Sequence, residues 1–396
     1  MTLQILLDSI FNGMSIGAVL LIAALGLAIV FGLMGVINMA HGELMMLGAY
    51  TTFVVQNGFK ALDNDTLFNF YILIALPASF LIAAAMGVIL ERGVIRFLYG
   101  RPLETLLATW GVSLILRQWV RSTSWAMNIG IVLFVVLFFG GMSLLQWKLP
   151  QWQQIRGWAI AALLPLSGGI SLTIGLLLNR SPNLAKPWFG PRNIDVTAPQ
   201  WLQGGLSLGA LQFPFARLFI IVLTILCVLG IYWFLQGSSW GLRIRAVTQN
   251  RTMSACLGIP TNTVDALTFA LGSGLAGIAG CAITLLGSVG PNLGGNYIVD
   301  AFMVVVIGGV GKLVGSIFAA LAIGVVTYLV GAGTLGTLLL QIPGEGVQAA
   351  LAPMLGVINF FADSSMAKVL VFALIIAFLQ VRPAGLFPQK GRTVDA

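Results

Sequence analysis

The stretch VINMAHGELMMLGAY, residues 36–50, decides how this chain has to fold. It places Asn38, His41 and Glu43, here called the polar island, between long runs of aliphatic and small residues. His41 is the single histidine among 396 residues. Ionisable groups in an apolar setting are costly unless they are paired, so they mark functional positions by default. The polar island is therefore the first candidate site.

The composition excludes a soluble globular domain. Hydrophobic residues make up 58% of the chain and charged residues only 8%, whereas soluble domains are about 45–50% apolar and about 25% charged. Apolar runs that mostly reach bilayer-spanning length lie at roughly 13–37, 68–90, 103–120, 127–146, 157–178, 213–235, 263–288, 313–333 and 366–381. With shorter runs at 44–57 and 298–310, we predict an all-α, polytopic transmembrane bundle of about nine to eleven spans.

Several other classes of protein and site are disfavoured. A transmembrane β-barrel needs alternating segments of about ten residues, which these continuous runs are not. The first run lacks a following cleavage site, so we expect a retained helix. The three cysteines, Cys227, Cys256 and Cys281, lack disulfide or zinc spacing, and we expect no metal site. The net charge of +8 is scattered without a nucleic-acid motif, so no nucleic-acid partner is expected.

Three basic segments are predicted to be cytoplasmic by the positive-inside rule. They contain Arg92, Arg96 and Arg101; Arg243, Arg245 and Arg251; and Arg382, Lys390 and Arg392. The predicted spans between the first two segments number four, so that both fall on one side, and Lys312 falls there too.

The chain is predicted to be a single transmembrane domain, 1–396, in which two segments stand out. Tryptophans bracket the pair of spans within about 124–186, which we interpret as an inserted transmembrane hairpin. The proline-rich segment 179–213 cannot continue as helix and is predicted to be an ordered external loop.

Glycine accounts for 48 residues, many of them inside apolar runs. Gly272, Ala276 and Gly280 form a small-residue face of the kind that packs helices in lipid. The same region spells GSGLAG, but a dinucleotide fingerprint follows a strand, not an apolar span. GGVGKL, 308–313, lacks the first glycine and the Ser or Thr of a phosphate-binding loop. Any ATP must therefore be bound by another chain.

The polar island allows two interpretations. In the structural one, Asn38 caps a helix that starts near Met39, and Glu43 complements the positive end of its dipole. In the other, the helix end and its polar groups line a solute pathway. Catalysis is disfavoured because His41 and Glu43, two residues apart, do not share a helix face and no nucleophile is in view. We predict that the chain is not an enzyme.

The segment GSSWGLRIRAVTQNRTMSACLGIP, 237–260, carries three arginines and no acid. It is predicted to form a short amphipathic helix pair that ends at Gly258 and Pro260. Its predicted apolar side consists of Ala246, Ala255, Cys256 and Leu257. Either the segment is a solvated loop, or it docks a cytoplasmic motor over about 237–262. The candidate contact residues are Arg243, Arg245, Gln249, Asn250 and Gly258.

Two further sets of polar residues are candidates for the pathway. In YGRPLETLLATWGVSLILRQWVR, 99–121, Thr109 and Ser113 share a helix face at i and i+4, either as interhelical hydrogen-bonding groups or as pore lining. Glu345 lies between two glycines in IPGEGV, within a stretch that we predict to be an external loop.

These segments resemble a known family. VINMAHGELMMLGAY is similar to the opening motif of branched-chain amino acid permeases in ATP-binding cassette importers. LRIRAVTQNRTMSACLGI, VVVIGGVGKLVGSIFAALAIG and VRPAGLFPQKGR resemble the same family. Within it, segment 99–121 and FGPRNIDVTAPQWLQGG, 189–205, are similar to the branch that carries urea. The resemblance spans nearly the whole chain except about 124–186.

The resemblance implies a set of partners and a location. These are a second permease subunit, two cytoplasmic ATP-binding subunits, an extracytoplasmic solute-binding protein and the lipid of the bacterial inner membrane. It also implies that the permease carries no cofactor and that the segment around Arg243 contacts the ATPase. We expect an importer of urea or a short-chain amide analogue. The alternatives are a branched-chain amino acid permease and a passive urea channel, and a channel has no need of a motor-docking element.

Overall fold

The computed structural model describes residues 2–148, 152–208, 211–334, 336–337, 356, 360, 362, 364–383 and 385–387. Within them the helices are α1 (Thr2–Met34), α2 (His41–Lys60), α3 (Asp65–Phe68), α4 (Tyr71–Gly93), α5 (Pro102–Ser122), α6 (Trp125–Lys148), α7 (Trp152–Leu178), α8 (Pro182–Ala185), α9 (Phe215–Gly237), α10 (Ser239–Gln249), α11 (Arg251–Cys256), α12 (Thr261–Ile283), α13 (Leu293–Gly308), α14 (Leu313–Gly331) and α15 (Ser364–Val381). Two strands, β1 (Gly205–Leu208) and β2 (Leu211–Pro214), pair antiparallel.

The predicted polytopic helical architecture is confirmed. Among the described residues, seven helices are long and apolar enough to cross a membrane, namely α1, α4, α6, α7, α9, α12 and α14. Shorter apolar helices are α13 and most of α15, whereas α2 and α5 are long enough but more polar. The start of α1 was wrongly predicted, because Thr2–Met34 is one helix of 33 residues. The predicted run began at residue 13 only because Gln4, Asp8 and Asn12 interrupt the apolar pattern without interrupting the helix.

The chain forms two compact units. The first unit comprises Met1–Ser113 and Asp195–Ala396, and the second comprises Leu114–Ile194. In the second unit α6 and α7 pack against each other, with Ser171 Oγ donating a hydrogen bond to the Gly130 carbonyl at 2.5 Å. That these two helices are an insertion into the permease pattern stays a prediction.

The core of the first unit is built around α12, which packs against α1, α2 and α4. The predicted small-residue face is confirmed. Gly272 lies against the Gly26 backbone of α1, and Gly280 lies against the Met45 carbonyl of α2. A Cβ atom at either glycine would overlap that backbone. Because lipid supplies no hydrophobic drive between helices, such close backbone contact is what holds α12 in place.

The segment 179–213, predicted to be an ordered external loop, makes hydrogen bonds around Thr197 and Trp201 and leads into two short strands that the sequence analysis missed. The carbonyl of Thr197 accepts hydrogen bonds from Gln56 Nε2 and from the Tyr71 hydroxyl, both at 2.8 Å. Trp201 Nε1 donates to the Asn69 carbonyl at 2.7 Å. β1 and β2 have only four residues each, too few for their alternation to stand out in the sequence.

The first two of the basic segments predicted to be cytoplasmic meet in the first unit. Arg251 lies over the ring of Tyr99, 4.7 Å from its centroid, which brings the first two segments together. One groove is lined by α9 and by the Gly309–Lys312 turn and the C-terminal segment, through Tyr232, Gln236, Lys312, Leu386 and Phe387. The description of the C-terminal segment ends at residue 387, so Lys390 and Arg392 lie outside it.

The glycine contacts of α12 give a test of stability. We expect Gly280→Ala to destabilise the protein by about 1–3 kcal/mol, because the added methyl group meets the α2 backbone. Gly230→Ala in α9 is the matched control, since its Cβ would meet no atom within 4 Å, and it should stabilise by about 0.5–1 kcal/mol. Thermal unfolding of the detergent-purified variants measures both. Equal melting temperatures would contradict this packing.

Candidate functional site

The polar island lies in the turn between α1 and α2. Gly35, with φ of +68°, ends the first helix. The prediction that Asn38 caps a helix starting near Met39 was wrong, because α2 begins at His41 and its N-cap residue, Ala40, makes no side-chain cap. Asn38 Oδ1 instead accepts a hydrogen bond from the Ala40 backbone N–H at 3.0 Å. A short polar side chain thus stabilises the turn locally instead of extending the helix.

Thr109 and Ser113 of α5 contact this same turn. The Met39 backbone N–H donates to Thr109 Oγ1 at 3.1 Å, and Ser113 Oγ donates to Glu43 Oε1 at 3.1 Å. Their predicted shared face is therefore confirmed, and it faces the polar island. Glu43 lies in the first turn of α2, as predicted, where a carboxylate is stabilised by the helix dipole.

The site is buried and almost entirely neutral. None of its five polar side chains is more than 5% exposed, these being Asn38, His41, Glu43, Thr109 and Ser113. Many of these polar groups form hydrogen bonds, as buried polar groups generally do in folded proteins. A solute here would meet hydrogen-bonding groups and one carboxylate.

His41 and Asn38 each keep one polar atom without a hydrogen-bond partner among the described residues. His41 Nε2 lies 3.0 Å from the Ala23 carbonyl of α1, so this nitrogen carries the proton. His41 Nδ1 and Asn38 Nδ2 are buried and unpaired there. One is an acceptor and the other a donor. Each atom therefore lacks, among the described residues, the hydrogen-bond partner that a buried polar group ordinarily has.

The second candidate region is the predicted helix pair, which is present as α10 and α11. Ser238 Oγ caps α10 by accepting from the Gly241 N–H at 2.9 Å. Asn250 Oδ1 caps α11 by accepting from the Met253 N–H at 2.9 Å. Gly258, with φ of +81°, follows as the predicted stop. The coupling candidate Asn250 thus has a definite structural role.

The predicted apolar side of the helix pair was wrong. The buried residues are Gly241, Ile244 and Val247 of α10 and Ser254 of α11, whereas Ala246 is half-buried and Ala255, Cys256 and Leu257 are exposed. The orientation of α11 is determined by a residue outside the helix pair. Arg251, at the start of α11, forms an ion pair with Asp265 of α12 at 2.5 Å. That ion pair turns Ser254, three residues later, towards the protein.

The outer surface of the pair is both apolar and basic. Leu242, Met253 and Leu257 are 63%, 59% and 75% exposed. Arg243 is exposed and stacks on Trp240, with its guanidinium carbon 4.8 Å from the ring centroid. Protein interfaces are enriched in such Met, aromatic and Arg groupings. We call Leu242, Arg243, Met253 and Leu257 the docking surface.

The other coupling candidates differ in their surroundings. Arg245 is half-buried and donates a hydrogen bond from Nη1 to Gln236 Oε1 at 2.6 Å. Gln249 and Gly258 are exposed at the ends of the two helices. Arg245 is therefore held against α9, while Gln249 and Gly258 remain accessible beside the docking surface. The pathway candidate Glu345 lies outside the described residues.

Sequence reasoning missed a charged cavity of about 290 Å³ in the first unit. Arg217 and Thr327 contribute polar groups to its wall, and Lys368 Nζ lies 3.5 Å from Asp300 Oδ2. Its apolar wall includes Ile16, Val19, Leu20, Leu286, Val371 and Phe372. Asp300 and Asp265 share one sequence property that would have revealed them. Each is an acid inside an otherwise apolar helix, where an ionisable group needs a function or a partner.

Known proteins resemble the chain over almost its full length. Residues 9–379 match the family described as the permease component of the branched-chain amino acid transport system. The high-affinity branched-chain amino acid transport system permease protein BraD of Pseudomonas aeruginosa is 25% identical over 81% of this chain and 84% of its own. The corresponding protein LivH of Salmonella typhimurium is 24% identical over 96% of this chain and 94% of its own.

The LivH protein of Escherichia coli strain K12 is likewise 24% identical over the same shares of both chains. No solved structure matches the chain. All three relatives are named as transport permeases, in agreement with the several apolar helices of a multi-pass inner-membrane protein. The chain belongs to the family of branched-chain amino acid transport system permeases.

Proposed function

We propose that this chain is one permease subunit of an ATP-driven importer and that its docking surface binds a cytoplasmic ATPase. The docking surface carries the proposal. Three large apolar side chains and an arginine project from a helix pair whose inner side is anchored by Ile244 and Val247. A passive channel has no use for such a surface. The remaining partners are a second permease subunit, a second ATPase and an extracytoplasmic solute-binding protein.

Charge reversal tests the docking surface. Arg243→Glu combined with Leu257→Asp should weaken ATPase binding by at least about tenfold, because apolar and arginine anchors dominate interface energies. Co-purification of the ATPase with the tagged permease, together with ATP-dependent uptake, measures the effect. Arg192→Glu is the matched control, since Arg192 is equally exposed but lies in the segment predicted to be external. Unchanged ATPase recovery with normal uptake in the double variant would contradict the proposal.

A branched-chain amino acid is the first candidate solute. The named relatives are branched-chain amino acid permeases, and the cavity offers what a zwitterion with an aliphatic side chain needs. It combines cations, Arg217 and Lys368, with the acid Asp300 and an apolar wall. Opposite charges placed together can bind a carboxylate and an ammonium group at once.

Urea or a short-chain amide is the second candidate solute. Two segments, 99–121 and 189–205, resemble the urea branch of the family. The first of them supplies Thr109 and Ser113 to the polar island, where Asn38 Nδ2 and His41 Nδ1 are free to donate and accept. An uncharged amide needs only such neutral partners.

Uptake by a deletion strain separates the two candidates. If a branched-chain amino acid is the solute, removing the gene should abolish high-affinity, ATP-dependent uptake of labelled leucine and spare that of labelled urea. The reverse pattern assigns urea. Reintroducing the wild-type gene controls for effects on neighbouring genes. Loss of neither activity would contradict both candidates.

A pair of substitutions tests whether the polar island lines the pathway. His41→Gln keeps a donor for the Ala23 carbonyl but moves the acceptor away from the position of Nδ1, so uptake should fall much more than protein abundance. Thr109→Val removes the acceptor of the Met39 N–H at a cost of about 1–3 kcal/mol, so abundance and uptake should fall together. Immunoblots and initial uptake rates measure both. Proportional losses in both variants would leave the polar island a purely structural element.

A further inference from the structure

A cluster of charged and aromatic groups begins at α11, the helix that also carries Met253 of the docking surface. Arg251, the first residue of α11, forms the 2.5 Å ion pair with Asp265 of α12 and stacks on Tyr99, which precedes α5. The Asp265 side chain is only 4% exposed, while that of Arg251 is 44% exposed. The arginine therefore reaches from the accessible helix α11 to a buried acid in the core helix α12.

The cluster also reaches α4. The Tyr99 hydroxyl donates a hydrogen bond to Glu91 Oε1 at 3.2 Å, and Glu91 is buried near the end of α4. Burial, together with the nearby carboxyl groups of Asp265 and Glu91, raises the pKa of Tyr99. The phenol therefore keeps the proton that it donates. One connected set of contacts thus joins α11 with α12 and α4.

A movement of α12 at the end that contains Asp265 would also displace the helices packed along its length. Gly272 lies against Gly26 of α1, Gly277 against Gly48 of α2, and Gly280 against Met45 of α2, with backbones in direct contact. Packed interiors transmit displacement because they contain few voids into which atoms can move. Met45 lies one turn after His41, the first residue of α2. The contacts are therefore continuous from α11 to the polar island.

We propose that Arg251 is a positioning residue that couples the docked ATPase to α12 through its ion pair with Asp265. The proposal rests on the proposed function, because it needs an ATPase on the docking surface. Arg251 and the docking residue Met253 belong to the same six-residue helix. A displacement imposed on that helix by the ATPase is passed to α12 by a short, charged and half-buried contact. Without it, the connections that remain between α11 and α12 among the described residues are the chain itself and local packing.

The predicted consequence is uncoupling, not loss of assembly. The assembled importer, with its ATPase and second permease subunit, is reconstituted in proteoliposomes with the solute-binding protein. ATP hydrolysis and uptake of labelled leucine or urea are measured on the same preparation. Asp265→Asn should retain the ATPase and its basal hydrolysis, while the solute carried per ATP falls by about tenfold. A merely structural role would lower hydrolysis and uptake in parallel and leave this ratio unchanged.

Matched variants guard against misfolding and against general charge effects. The charge swap Arg251→Asp with Asp265→Arg should recover much of the ratio, because it restores the attraction with reversed polarity. Arg101→Gln is the control at the same end of the molecule. Its ion pair with Glu104, at 3.1 Å, joins side chains that are 66% and 55% exposed, and such exposed pairs contribute little.

The outcomes separate this proposal from the proposed function. If wild-type permease fails to retain an ATPase, the proposed function is wrong and the coupling proposal falls with it. If the wild type retains its ATPase, two results overturn the coupling proposal alone. One is a wild-type ratio of solute to ATP in Asp265→Asn, and the other is a reduced ratio in Asp265→Asn and in Arg101→Gln alike. If Asp265→Asn is not recovered from the membrane, the charge swap decides, and failure of the swap to transport overturns the proposal.

Discussion

The structure depends on backbone contact between helices at glycine. Helices in lipid gain nothing from hiding apolar side chains from one another, so dispersion contacts and hydrogen bonds must supply the attraction. In the first unit, α12 meets three neighbours in this way, with Gly272 and Gly280 against the backbones of α1 and α2. Such contacts are short and allow little sliding. The positions of other features of the unit, including the polar turn before α2, depend on where these helices can come close to one another.

This constraint explains why polarity is tolerated at the polar island. Close helices exclude lipid from the turn and bring carbonyl and hydroxyl partners within reach, as Ala23 does for His41 and Ser113 does for Glu43. Burial makes an unpaired polar group energetically unfavourable, but the same close packing brings hydrogen-bond partners to these groups. The charged cavity follows the same rule, since Asp300 lies beside Lys368.

The sequence alone was sufficient for features that repeat along the chain. Apolar length predicts the spans, small-residue spacing predicts the contact face of α12, and the i, i+4 pair Thr109 and Ser113 predicts a polar face. The sequence alone was insufficient where a residue far along the chain determines how an element is oriented. The orientation of α11 depends on Asp265, fourteen positions after Arg251, and no local pattern contains that ion pair. The exact start of α2 depends on a turn in which Asn38 competes with the helix for a backbone N–H.

The exposed leucines and methionine of α10 and α11 have a consequence for how the cell makes this protein. On the proposed function, a copy synthesised without its ATPase presents Leu242, Met253 and Leu257 to the cytosol. Exposed apolar groups of this kind attract chaperones, proteases and other copies of the same chain. Balanced synthesis of the subunits would then be needed for the permease to persist in the membrane as well as for transport. On the proposed function, an orphan subunit would therefore carry on its own surface the feature by which quality control recognises it.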